Sequence, residues 1–141
     1  MARLILVEKS RSGEGIVSKE RRENNFQGIH WQIIQHSYKW RPPTDVYETE
    51  NEVVVRVEIA GMNGNDFAIT LDGQLLIIRG IRKDDAEKRA YQQMEINFGF
   101  FIIQVNLPCL ILSEQIVAEY QEGFLKVILP KAEPQRIWID Q

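Results

Sequence analysis

The chain has 141 residues, about one domain's worth. Apolar residues make up 44% and charged residues 26%, a composition that suits a folded globular protein and excludes wholesale disorder. The net charge of −3 leaves no basic surplus to neutralise a phosphate backbone, which argues against nucleic-acid binding as the main activity.

The chain opens on Leu4-Ile5-Leu6-Val7, an apolar segment too short for a secretory signal. It then turns polar, with charges from Glu8 to Glu23 and a Gly13-Glu14-Gly15 break. Residues 26–40 are aromatic and apolar, and Phe26, Ile29 and Ile33 share one face at helical spacing, predicting a short amphipathic helix. From Pro42 onward the period changes to two. In Glu52–Ala60, Val53, Val55, Val57 and Ile59 alternate with Val54, Arg56 and Glu58, the pattern of a half-buried strand.

Gly61–Asn65 turns the chain. Phe67, Ile69 and Leu71 alternate with Ala68 and Thr70, Asp72-Gly73 is read as a two-residue hairpin turn, and Leu75–Ile78 returns. Residues 81–90 read as a charged connector. Further strands are predicted at Tyr91–Asn97 and Phe100–Asn106, with a final hairpin of Gln115–Tyr120 and Phe124–Leu129 around Gln121-Glu122-Gly123. Short strands separated by turn signals predict an all-β sandwich. Phe98–Val105 is apolar on both faces, so its outer face needs cover from the same chain or from a partner subunit. Beyond Pro130-Lys131 a polar spacer leads to Ile137-Trp138-Ile139, two isoleucines spaced i, i+2, suited to a groove between strands.

No catalytic or cofactor motif emerges. Leu4–Val7 followed by Gly13-Glu14-Gly15 mimics a strand entering a phosphate loop, but it lacks the third glycine of a dinucleotide fingerprint and the Gly-Lys-Ser/Thr of a P-loop. His30 and His36 are not at the i, i+4 spacing of a helical metal pair. Asp84, Asp85 and Glu87 are interleaved with Lys83, Lys88 and Arg89 and lack a calcium loop's glycine, so they read as a solvated loop. No Gly-x-Ser-x-Gly occurs. The lone Cys109 excludes an internal disulfide and a cysteine-built zinc site, and it reads as a small loop residue after Pro108. Apolar runs are too short to span a membrane, and the expected location is cytoplasmic. No enzyme activity, cofactor or metal is expected.

Residues 42–131 resemble the α-crystallin domain of small heat-shock proteins. The matching elements start with Pro42-x-x-Asp45-x-x-Glu48 before VVVRVEIAGM, then Leu76-x-Ile78-x-Gly80-x-Arg82. Glu95-x-x-x-Gly99-x-Phe101, Leu107-Pro108, Ala118-x-x-x-x-Gly123-x-Leu125 and Leu129-Pro130-Lys131 follow, and Ile137-Trp138-Ile139 resembles the family's C-terminal I-x-I motif. The resemblance implies an immunoglobulin-like antiparallel β-sandwich over residues 42–131. It would be flanked by a variable N-terminal arm, flexible or partly helical, over 1–41, and by a short extended tail over 132–141.

It also implies an ATP-independent holdase that keeps unfolding client proteins soluble, as a homodimer and in larger assemblies. Client-binding and assembly surface would come from Phe26, Ile29, Trp31, Ile33 and Trp40. Ile137 and Ile139 would dock in a neighbour's groove lined by Ile69, Leu71 and Val117, residues that could equally be plain sandwich core. The 81–94 connector resembles the bacterial and plant form, in which a strand around Tyr91 pairs with the partner subunit and covers an open edge.

Ile103, with Gln104 next, stands where the family commonly has an arginine, so any charge pairing by that arginine across the dimer is missing. Glu122 and Phe124 replace the commoner Asn and Val around Gly123. The competing reading is a CS-domain-type co-chaperone or adaptor, although that relative usually lacks both connector and tail motif. An enzyme on a sandwich would need a polar cluster that is not found, and a purely structural assembly protein would oligomerise without protecting clients.

Overall fold

The computed structural model describes residues 40–85, 87, 89–134 and 136–139, together with the strand pairing of Arg3–Ile5 and Val7–Lys9. The expected helix over Phe26–Ile33, and with it Phe26, Ile29, Trp31, Ile33, His30 and His36, lies outside the described residues.

In chain order the strands are β1 (Arg3–Ile5), β2 (Val7–Lys9), β3 (Thr44–Glu48), β4 (Glu52–Glu58), β5 (Phe67–Asp72), β6 (Leu75–Arg82), β7 (Gly99–Asn106), β8 (Val117–Gln121) and β9 (Phe124–Pro130). Single 3-10 turns at Gly64–Asp66 and Ser113–Gln115 precede β5 and β8. The strands form two sheets, one ordered β1-β8-β9-β4-β3 and the other β2-β5-β6-β7. All neighbours are antiparallel except β2 and β5, which run parallel.

Alternation explains why these segments close into a sandwich. Val53, Val55 and Val57 of β4 share an inward face with Leu125, Val127 and Leu129 of β9 and Ala118 of β8. Opposite them lie Ile69 and Leu71 of β5, Leu76 and Ile78 of β6, and Phe101, Ile103 and Val105 of β7. Each large member, fully buried, contributes about 1.5–3 kcal/mol. At one end an aromatic row runs Trp40, Phe101, Phe67 and Tyr120, with successive ring centroids 5.5, 6.3 and 5.2 Å apart. The Tyr120 hydroxyl donates to the Ile59 carbonyl (2.7 Å) and accepts from the Met62 amide (3.3 Å), tying down the turn after β4.

Four local expectations shift. The hairpin after β5 turns on Gly73-Gln74, because Asp72 is still paired with Leu75. β6 continues through Ile81 and Arg82, opposite Phe100 and Gly99, into what read as connector. Tyr91–Asn97 is not a strand, since a ladder needs a neighbour and none runs alongside it among the described residues. Val54 is buried on the outer face of its sheet, where the alternation predicted exposure.

Two backbone positions are tightly constrained. A Cβ on Gly80 would fall 2.6 Å from the Phe101 ring and 2.8 Å from the Asp66 carbonyl, so a side chain there collides with main chain. The β8–β9 hairpin turns on Glu122 (φ 52°) and Gly123 (φ 81°), both left-handed, as a two-residue type I′ turn requires.

Candidate functional site

Two regions of the sandwich bear on the expected tail groove and dimer strand, and each is made by strand order. The first is the side where β5 of one sheet and β8 of the other are bordered only by the short β2 and β1. Ile69 and Leu71 point inward from β5, 2% and 3% exposed, and both belong to the core. On β8, Ala118 is buried with them, whereas Val117 faces outward and is 41% exposed. The three residues expected to line one groove therefore divide between an inner and an outer face. Period-two geometry forces this, since Val117 and Ala118 are adjacent.

The tail that would fill such a groove is undocked in the single chain. Ile137, Trp138 and Ile139 are 40%, 80% and 83% exposed, and the Arg136 guanidinium lies over the Trp138 ring.

The second region comprises the open edges and the connector. β3 is the outer strand of its sheet, with Val46 and Tyr47 exposed, and β7 is the outer strand of the other. Tyr91, Met94 and Ile96 stand exposed on the connector, a concentration of apolar side chains in a segment without a strand neighbour among the described residues. At its charged start, Tyr91 donates to Asp84, and Arg89 pairs loosely with Asp84 at 4.0 Å.

Phe100 and Ile102, on the outer face of β7, are half-buried and have partners within the chain, so same-chain packing meets part of the need for cover. Trp40, expected to serve clients, is half-buried as well. It bridges to Phe101, its indole N–H donates to the Gly99 carbonyl at 3.5 Å, and the Arg82 guanidinium sits 4.4 Å from its ring centre. That packing ties Trp40 to the edge of the sandwich.

Sequence reasoning missed two clusters. Arg82 lies over both Trp40 and Phe98, and it donates to the carbonyls of Asn97 and Ala60. It thereby joins the two ends of the connector loop to the turn after β4. Lys131 has a fully buried side chain, with Nζ 3.1 Å from Glu48 Oε1, clamping the end of β9 to the end of β3. Both residues fall within motifs quoted above, but no spacing signals their partners. Among the described residues no group of three His, Cys, Asp or Glu could hold a metal ion, and no helix is long and apolar enough to cross a membrane.

The Hsp20/alpha crystallin family pattern matches residues 45–140, from β3 through the I-x-I tail. The chain belongs to that family. Among related sequences, small heat shock protein C2 of Rickettsia felis is 32% identical over 94 residues, covering 65% of this chain and 61% of that protein. Heat shock protein HSP.16.4 of Streptococcus thermophilus is 32% identical over 113 residues, covering 78% and 74%. The chloroplastic small heat shock protein of Solanum lycopersicum is 27% identical over 71% of this chain, and the match spans only 43% of its length. In structure, heat shock protein 16.0 of Schizosaccharomyces pombe superposes with a TM-score of 0.67 at 27% identity, covering 73% of this chain and 97% of that one. This Hsp20/alpha-crystallin sandwich thus extends from β3 to β9, with β1 and β2 added along its side.

Proposed function

We propose that this family member is an ATP-independent chaperone that holds partly unfolded proteins in soluble form. The carrying observation is an Hsp20/alpha-crystallin sandwich with exposed Ile137 and Ile139 beyond its last strand. Unfolding clients expose apolar surface, whose burial contributes roughly 25 cal/mol per Å². A reversible binder can therefore shield them without consuming nucleotide. The N-terminal arm, with Phe26, Ile29, Trp31 and Ile33, is the proposed client surface.

Assembly follows from the same features. The segment around Tyr91, with Met94 and Ile96, pairs with the outer β3 edge of a second copy, giving it a ladder partner that it lacks among the described residues. Ile137 and Ile139 then dock between β5 and β8 of a neighbouring dimer, along the strands that carry Ile69, Leu71 and Val117. A small heat-shock protein of Xylella fastidiosa, whose structure is 26% identical to this chain, is described as having a distinct high order structure. Such behaviour supports an assembly reading here. The adaptor reading has less support, because the family match continues through the tail to residue 140.

The test is light scattering of a heat-labile client, without nucleotide, at increasing amounts of this protein. Suppression near stoichiometric ratios is expected. Undiminished scattering, at temperatures where the sandwich remains folded, would overturn the holdase reading.

A further inference from the structure

The side of the sandwich proposed to receive the tail already carries a segment of the same chain. β1 lies antiparallel on β8, with Arg3 opposite Tyr120, Leu4 opposite Glu119 and Ile5 opposite Ala118. β2 lies parallel on β5, with Val7 opposite Ile69, Glu8 opposite Thr70 and Lys9 opposite Leu71. Only Leu6 separates the two strands, so the segment passes from one sheet to the other within a single residue. Three residues thus lie along each wall of the groove.

We propose that Arg3–Lys9 is a built-in, displaceable occupant of this groove, which closes both sheet edges in cis and excludes any other extended segment, above all the Ile137–Ile139 tail of a neighbour. A strand edge offers one row of amide and carbonyl groups, and that row pairs with one strand at a time. β2 occupies the edge of β5 at the level of Ile69 and Leu71, whose side chains are buried in the core. The occupant is favoured because it is tethered, which places it at an effective concentration of the order of millimolar against a free tail at micromolar. It remains displaceable because each strand is only three residues long, and short edge strands open at the low end of the stability range. Conditions that melt β1 and β2 before the sandwich therefore free the groove for assembly. The exclusion rests on the tail-docking reading above, but the cis pairing does not.

The test uses the full chain carrying C109S, I137A and I139A, so that its own tail does not compete, and a labelled peptide of residues 133–141 read by fluorescence anisotropy. One variant adds Ile5→Pro and Glu8→Pro, which remove ladder amides from both strands. A second adds Leu4→Cys and Glu119→Cys, opposite one another in the register and within disulfide reach. The proline variant, checked by circular dichroism for a folded sandwich, should bind the peptide about tenfold more tightly than its parent. The oxidised staple should form within one chain and abolish peptide binding, and reduction should restore it.

Equal binding by parent, proline variant and oxidised staple would overturn the exclusion. A staple that forms only between chains would overturn the cis pairing. If the staple closes in cis but the peptide binds none of the proteins, tail docking is wrong and the exclusion fails with it, whereas the segment's pairing along the groove stands.

Discussion

Glu122 adopts a left-handed backbone in a turn whose second residue is Gly123, and nothing about a glutamate favours that conformation. Asparagine and glycine reach it at lower cost, since an ordinary side chain there crowds the neighbouring carbonyl. Glu122→Asn should raise stability by about 0.5–1 kcal/mol, read as a higher denaturant midpoint with an unchanged slope. The Lys131–Glu48 pair is asymmetric in a similarly testable way. Glu48→Ala leaves a buried ammonium without its partner and should cost about 2–3 kcal/mol, somewhat below the fully buried range because Glu48 is a third exposed. Lys131→Met removes the charge itself and should be near neutral. Equal losses in the two variants would show that the ion pair itself is stabilising, and not only that an unpaired buried charge is costly. Gly80→Ala, aimed at the Phe101 ring and the Asp66 carbonyl, should cost about 1–3 kcal/mol by overpacking.

At the scale of elements, legibility followed period. β4, β5 and β9 could be read from Val53–Ile59, Phe67–Leu71 and Phe124–Leu129, because a strand buried on one face writes alternation into its own residues. Boundaries were less legible. Arg82 sits in a charged run, yet it belongs to β6 because Gly99 lies opposite it and Trp40 and Phe98 hold its guanidinium. Tyr91–Asn97 has a strand's composition without a strand's neighbour among the described residues. Its conformation is decided by whatever pairs with it, and we expect that to be a second copy. Met94→Asp with Ile96→Asp should reduce the mass measured by light scattering towards the monomer while circular dichroism keeps its β signature. A dimer that persists would show that the connector is not the pairing strand.

For the whole molecule, the same tail has two possible fates, free or docked, and the difference is visible in size. Ile137→Ala with Ile139→Ala should shrink the assembly and leave the sandwich folded, because both side chains are exposed in the single chain and support none of its core. An unchanged mass in native mass spectrometry would remove the tail from the assembly scheme. The proline variant of β1 and β2 should act in the opposite sense, enlarging assemblies at a given concentration as grooves open to neighbouring tails.

What the sequence determined by itself was everything carried by local period and local motif: the sandwich, most of its strands, the family resemblance, and a tail with two knobs. What only the tertiary structure decided was how strands are placed beside one another. Leu4–Val7 carries an apolar signal too short to declare a partner, and its pairing with both β8 and β5 depends on two edges brought close by folding. Val117 and Ala118 are both small and apolar, and only the direction of the pleat separates the outer wall from the core. No spacing around Trp40 announces Phe101 and Arg82, which the fold sets against its ring. Alternation is a property of one strand, whereas an edge, a groove or a buried ion pair belongs to two, and a single strand's residues do not encode which neighbour arrives.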